Sequence, residues 1–366
     1  MRTYKLVSAD SHVTEPPGVW TDRMPKKYKD RAPRMETMEQ GDAWIFEGYP
    51  GPINFGLNQC GGLPPERRLA WIPFSEARVA GYDPVVRLKD MDEDGVDADI
   101  LYPTPRPHIA MVLHTGDPEF HVAQVQAYND WLSELCSHDL ERLGGLAVIP
   151  NVGVEAAVLE LQRAMELPGM RGALLGQLPH GGTDIGPESD PFWAAAEELD
   201  VAVAVHVSLA SGTPQPSKRQ TAEFRFLSFP HMAADFIYEG VFDRFPDLKL
   251  VMAEGDCSWI PYVKEQLDDR FYRVHPDTRP KIEKMPSEYF DRNLFNTIIT
   301  DTYGIRHLRH EVGISQIMWS SDFPHTGTHW PNSWKEIDKE FAGVDPREKH
   351  DILAGNAMRI YGFGSS

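Results

Sequence analysis

Four residues pose the chemical question. Asp10 and His12 stand two apart in SADSH, His206 ends the apolar run VAVAVH, and Asp322 lies in IMWSSDFPH. In extended backbone, positions i and i+2 point to the same side, so Asp10 and His12 can reach one ion. Two imidazoles with carboxylates suit a single divalent transition metal, with zinc first and manganese or iron as alternatives. Such an ion lowers the pKa of water and polarises carbonyls. Each residue also has an ordinary explanation. Ser-Ala-Asp-Ser is common turn chemistry, His206 can be a core histidine bonded to a carbonyl, and Asp322 can cap the turn before Pro324. A carboxylate so close to a buried strand nevertheless needs a partner, because an isolated buried charge is expensive.

The elements that must position these residues alternate. Short apolar, β-branched runs at 4–7, 98–102, 145–149, 172–175, 201–207, 248–253, 295–299 and 316–319 read as strands buried on both faces. Helical spacing marks 117–136, 155–165, 190–198, 232–242 and 258–271, with Asp190 as a cap and Pro191 at the first helical position. Eight strands with intervening helices predict an α/β fold, a (β/α)8 TIM-like barrel, whose chemistry gathers at the C-terminal strand ends. Asp10, His12, His206 and Asp322 then fall at the ends of strands one, five and eight. A doubly wound sheet would also alternate, but no Gly-rich dinucleotide turn follows any strand. Residues 15–85, rich in Pro, Gly and charge, interrupt the rhythm and read as an insertion after the first strand, packed on a single barrel domain of 1–366. A second Pro/Gly-rich stretch, 326–331, reads as a loop.

Composition narrows the function. Lys+Arg 36 against Asp+Glu 55 gives a formal net charge of -19, which disfavours nucleic acid as a partner. No apolar run reaches the roughly 18 residues of a membrane span, and the N-terminus lacks a signal-peptide core. Three cysteines, Cys60, Cys136 and Cys257, are too dispersed for a disulfide framework or a zinc module. The expectation is a cytoplasmic protein with no membrane contact.

The segments SADSHVTEP, AYNDWLSELC, RLGGLAVIP, DPFWAAAEELDVAVAVHVS, GVFDRFPDLKLVMAEGDCSWIPY, IMWSSDFPH and LAGNAMRIYGF resemble the amidohydrolase superfamily. They are most similar to the amidohydrolase-2 branch related to aminocarboxymuconate semialdehyde decarboxylase. The resemblance implies a metal-dependent barrel with one catalytic metal, assembled as a homodimer. It makes His12 and His206 ligands, Asp322 the last-strand aspartate, and Asp10 the first ligand where relatives carry His or Glu. Decarboxylase relatives carry a histidine at the end of strand six; here Glu254 occupies that place, a candidate base or extra metal contact.

Other residues complete the candidate site. His231, before the helix after strand five, is a candidate catalytic group to replace the missing imidazole; a cap or surface residue is the commoner role for a lone histidine. His325 follows Asp322 by three residues, and a turn would bring it over the metal; packing on Trp330 is the alternative. Trp259 and Trp330 are candidate walls, and Arg225 and Arg106 candidate anchors for an acid. His307 and His310, the acidic stretch 91–99 and Cys257 read as surface, turn and inert thiol. Three functions follow. The first is decarboxylation of an aromatic or unsaturated carboxylic acid, and the second is hydrolysis of an amide, lactone or carbon–carbon bond by metal-activated water. The third is a catalytically silent scaffold barrel. Family analogy favours the first; Glu254 favours the second.

Overall fold

A computed structural model describes residues 2–113, 116–207, 209 and 228–364. Ten strands are present among them: β1 (Val7–His12), β2 (Arg34–Met38), β3 (Gly41–Ile45), β4 (Ala98–Tyr102), β5 (Leu143–Val148), β6 (Met170–Leu175), β7 (Ala202–His206), β8 (Lys249–Ala253), β9 (Leu294–Ile298) and β10 (Ile317–Trp319). Eight form one parallel sheet in the order β1-β4-β5-β6-β7-β8-β9-β10, each paired with the next strand in that order and connected through helices. The sheet curls until its ends meet. Asp322 N–H donates to Asp10 O at 3.0 Å, and His12 N–H donates to Phe323 O at 2.7 Å. This is the expected (β/α)8 barrel.

Seven barrel strands begin and end within two residues of their predicted positions, because strands covered on both faces need uninterrupted apolar side chains. The first is different. Predicted at 4–7, it runs Val7–His12, carries the sequence VSADSH, and is buried throughout. Its polar side chains find local partners: Ser8 Oγ donates to Asp10 O at 2.9 Å and Ser11 Oγ to Ile100 O at 3.1 Å. The register against β4 slips between Ser8 and Ser11, re-aiming the residues that follow. Asp10 and His12 therefore lie inside the strand rather than in a turn after it.

The helices show two further departures. Asp190 is the first helical residue after Ser189 and makes no capping bond. The helix predicted at 232–242 is two, Ser228–Tyr238 and Val241–Arg244, separated where Gly240 takes a left-handed φ of 65°. Elsewhere Asp117 caps Pro118–Cys136 by accepting from Phe120 N–H.

Between β1 and β4 the chain forms the antiparallel pair β2–β3, a series of short 3-10 turns, and the helix Pro84–Asp94. The frequent Pro and Gly residues keep the turns short. Trp20 and Trp44 pack edge to face at 4.9 Å, and Trp20 Nε1 donates to Gln124 O on a barrel helix. Arg87, on Pro84–Asp94, is almost fully buried. It pairs with Asp99 of β4 and donates to His12 O and Ser11 Oγ at 2.7 Å each. Among the described residues, no helix is long and apolar enough to cross a membrane.

Candidate metal centre

At the C-terminal mouth of the barrel, β1, β7 and the turn after β10 bring their polar side chains together. His12 Nε2 lies 3.4 Å from Asp10 Oδ1, 3.5 Å from Asp322 Oδ1 and 3.1 Å from His206 Nε2. His206 Nε2 lies 3.8 Å from Asp10 Oδ2 and 3.5 Å from Glu254 Oε2. Metal–ligand bonds of about 2.0–2.2 Å place neighbouring donors about 3.0–3.5 Å apart, so most of these spacings are those of one coordination shell.

The donors are also in the right chemical state. His12 Nδ1 meets Pro103 O at 2.9 Å, and a carbonyl only accepts, so Nδ1 carries the proton and Nε2 turns its lone pair to the cluster. Burial holds His12 well below its usual pKa. Both oxygens of Asp10 and Oδ1 of Asp322 are buried without a well-formed hydrogen bond. Burial pushes Asp10 well above the carboxylate range, with the Asp322 charge adding to it, and pushes Asp322 up to about 8. Two buried carboxyls side by side cannot both ionise cheaply unless a cation joins them. A divalent ion fits this set. Asp10, His12 and His206 form one potential ligand group, and His12, Asp322 and His325 another that shares His12.

The backbone is strained around the centre. Val207, Glu254, Asp256 and Asp322 have φ of 60°, 63°, 50° and 50°. Aspartate tolerates this region, whereas a β-branched valine is a true outlier, and such residues cost about 1–3 kcal/mol each. The surroundings hold them: Val207 N–H donates to Ala253 O at 3.0 Å, and Glu254 N–H to Thr297 Oγ1 at 2.8 Å. Gly327 N–H supports the Asp322 carboxyl, and any Cβ at Gly327 would lie 2.5 Å from Asp322 Oδ2, so the loop needs glycine there.

His325 comes over the cluster as the spacing suggested. A turn with His325 N–H on Asp322 O stacks its ring on His12 at 3.8 Å and puts Nδ1 2.9 Å from Asp322 Oδ1. Its Nε2 meets the side-chain amide of Asn58 at 3.1 Å. Glu254 is about a third exposed and flanks His206. The other candidates have contacts of their own. His231 is exposed on Ser228–Tyr238. Trp259 donates to Gly255 O and packs on Phe290. Arg106 is exposed and bonds Asn54, while Trp330 stacks on Arg78 at 4.0 Å. Arg225 lies outside the described residues. His307 and His310 are exposed, and burial raises the Cys257 thiol well above its usual pKa.

Sequence reasoning missed Asn58, Thr297, Arg87 and the Pro103 carbonyl. None carries a local signature, since each matters only through a contact distant in sequence.

The profile of the family described as Amidohydrolase matches residues 10–363. The chain belongs to the amidohydrolase family. The resemblance read from its motifs is borne out at that level. This amidohydrolase is 25% identical to the 2-amino-3-carboxymuconate-6-semialdehyde decarboxylase of Dictyostelium discoideum, over 79% of each chain. It is 28% identical to a gamma-resorcylate decarboxylase of Rhodococcus jostii (strain RHA1), over 75% of this chain and 86% of the other. Its fold matches the crystal structure of an amidohydrolase from Mycobacterium avium subsp. paratuberculosis K-10, with a TM-score of 0.78, 20% identity and coverage of 99% and 100%. It also matches a dihydroxybenzoic acid decarboxylase from Polaromonas sp. JS666, solved with bound manganese and 2-nitroresorcinol. There the TM-score is 0.68 with 18% identity, over 100% of this chain and 98% of the other.

Proposed function

We propose that this amidohydrolase is a metal-dependent decarboxylase of a small aromatic carboxylic acid. The observation that carries the reading is the convergence of Asp10, His12 and His206 in one ligand group, with Asp322 joined to it through His12, in a chain whose relatives include a decarboxylase of an aromatic acid. A divalent ion held by these four residues would supply Lewis acidity toward a substrate oxygen. Manganese is the first choice, supported by the Polaromonas neighbour, with zinc and iron as alternatives.

Loss of carbon dioxide leaves an electron pair on the ring carbon, which must take up a proton. We assign delivery of that proton to Asp322, whose Oδ1 lies 2.9 Å from Nδ1 of His325. Glu254 flanks His206 at the mouth and faces the substrate side in this reading. The chain acts as one barrel unit, with 15–85 packed on it and reaching the site through Asn58. A cytoplasmic homodimer completes the proposal; family resemblance supports the dimer, and the acidic composition with three dispersed cysteines supports the location.

One observation favours hydrolysis as the second reading. Glu254 is a carboxylate where the family resemblance implies a histidine, and its charge opposes a carboxylate substrate. The test uses manganese-loaded protein with a panel of hydroxybenzoic acids and a panel of aryl lactones and amides. Carbon dioxide release, reduced about 10²–10⁴-fold in Asp322→Asn, is expected. A new acid or amine from the second panel, without carbon dioxide, establishes the hydrolase. Turnover of neither panel, in a chain that holds no metal, leaves the scaffold barrel.

A further inference from the structure

Thr297 lies on β9, a strand that contributes no ligand to the centre, and is fully buried. It receives both amides of the left-handed turn after β8: Glu254 N–H reaches its Oγ1 at 2.8 Å, and Asp256 N–H reaches its carbonyl at 3.1 Å. A hydroxyl has one proton and two lone pairs. With a lone pair taken by Glu254, the proton must point elsewhere, and the Asp10 carboxyl lies against this hydroxyl. No well-formed bond yet reaches either Asp10 oxygen. The Asp10 carboxyl oxygens, which lack a partner, are therefore the natural acceptors for that proton.

We propose that Thr297 is a positioning residue of the metal centre: its hydroxyl couples the left-handed turn at Glu254 to the Asp10 carboxylate and sets how tightly a divalent ion is held. The inference rests on the metal-centre reading above, but not on the reaction assigned to it. Outer-shell donors of this kind orient carboxylate ligands and raise their affinity. The same bond fixes the strained residue, Glu254, that borders the substrate side. A methyl in place of the hydroxyl would remove both functions while preserving the shape and strand preference of the side chain.

The experiment is calorimetric titration of Mn²⁺ into chelator-stripped protein, together with thermal unfolding of each stripped variant. Thr297→Val is expected to bind Mn²⁺ about 10–100-fold more weakly than wild type. Thr297→Ser should stay within a few-fold of wild type, and Thr297→Ala should behave as the valine variant does. The serine and alanine variants both lack the methyl group, so their difference isolates the hydroxyl even if valine perturbs folding. Wild-type affinity in Thr297→Ala, or equal weakening in Thr297→Ser and Thr297→Ala, overturns the proposal. If wild-type protein takes up no Mn²⁺, the metal-centre reading falls as well, whereas metal binding without decarboxylation removes only the reaction.

Discussion

The side-chain amide of Asn58 meets Nε2 of His325 at 3.1 Å, although the two residues are 267 positions apart. An amide N–H can only donate, so Nε2 accepts and the ring proton sits on Nδ1, the nitrogen 2.9 Å from Asp322 Oδ1. Burial keeps the imidazole neutral, with its pKa lowered to about 3. The segment between β1 and β4 thus selects the tautomer of a residue after the last strand. Asn58→Ala is expected to lower kcat about 10-fold with metal content unchanged. Asn58→Asp should be worse, because a carboxylate would draw the proton to Nε2 and leave Nδ1 opposing Asp322. Steady-state kinetics with metal analysis decide this; equal activity in the two variants removes the tautomer argument.

Metal content follows from the donor set. Wild-type protein should carry one divalent ion per chain, and His206→Ala should lose it while keeping the fold, as elemental analysis and circular dichroism will show. Binding to the native state alone stabilises it, by about 2.7 kcal/mol at 100-fold excess over Kd. Mn²⁺ should therefore raise the melting temperature of wild type by several degrees and leave that of His206→Ala unmoved.

Arg87 supports the strand that carries two ligands. Its guanidinium is 1% exposed, and it binds Asp99 through two nitrogens at 2.9 and 2.7 Å. Arg87→Met leaves Asp99 buried and unpaired, and should cost about 3–5 kcal/mol in a urea titration. Combining it with Asp99→Leu should recover much of that loss, since a buried pair replaced by apolar groups is often neutral. A single variant as stable as wild type contradicts the role.

Glu15 gives a pH dependence. Burial raises its carboxyl to about 7, against the ordinary 4.5, although Thr104 N–H donates to it at 2.9 Å. The folded state then binds more protons than the unfolded state between pH 4.5 and 7. Stability from this group is complete below the lower value and is lost as pH rises through the upper one, by about 3 kcal/mol in all. Glu340, raised to about 7, and Asp256, raised to about 6, act in the same direction. Denaturant midpoints at pH 5 and pH 8 should show wild type weaker at the higher pH, and Glu15→Gln should narrow the gap. An unchanged gap counts against the buried ionisation.

The sequence by itself determined the barrel and singled out four polar positions at its strand ends. Buried parallel strands must be apolar along their whole length, so seven of the eight were visible as runs, and Asp10, His12, His206 and Asp322 stood out as polar exceptions at their ends. The first strand was misplaced because VSADSH is polar while buried, its hydroxyls bonded to backbone and its guanidinium partner supplied by residue 87. Periodicity does not encode such satisfaction. Tertiary structure alone decided that Asn58 reaches His325, that Thr297 joins Glu254 to Asp10, and that His231 stands exposed while Trp259 packs on Phe290. Each depends on which face an element presents after the sheet curls and its ends meet. The pattern of single residues determines burial, but the closure of β10 on β1 determines which polar groups meet.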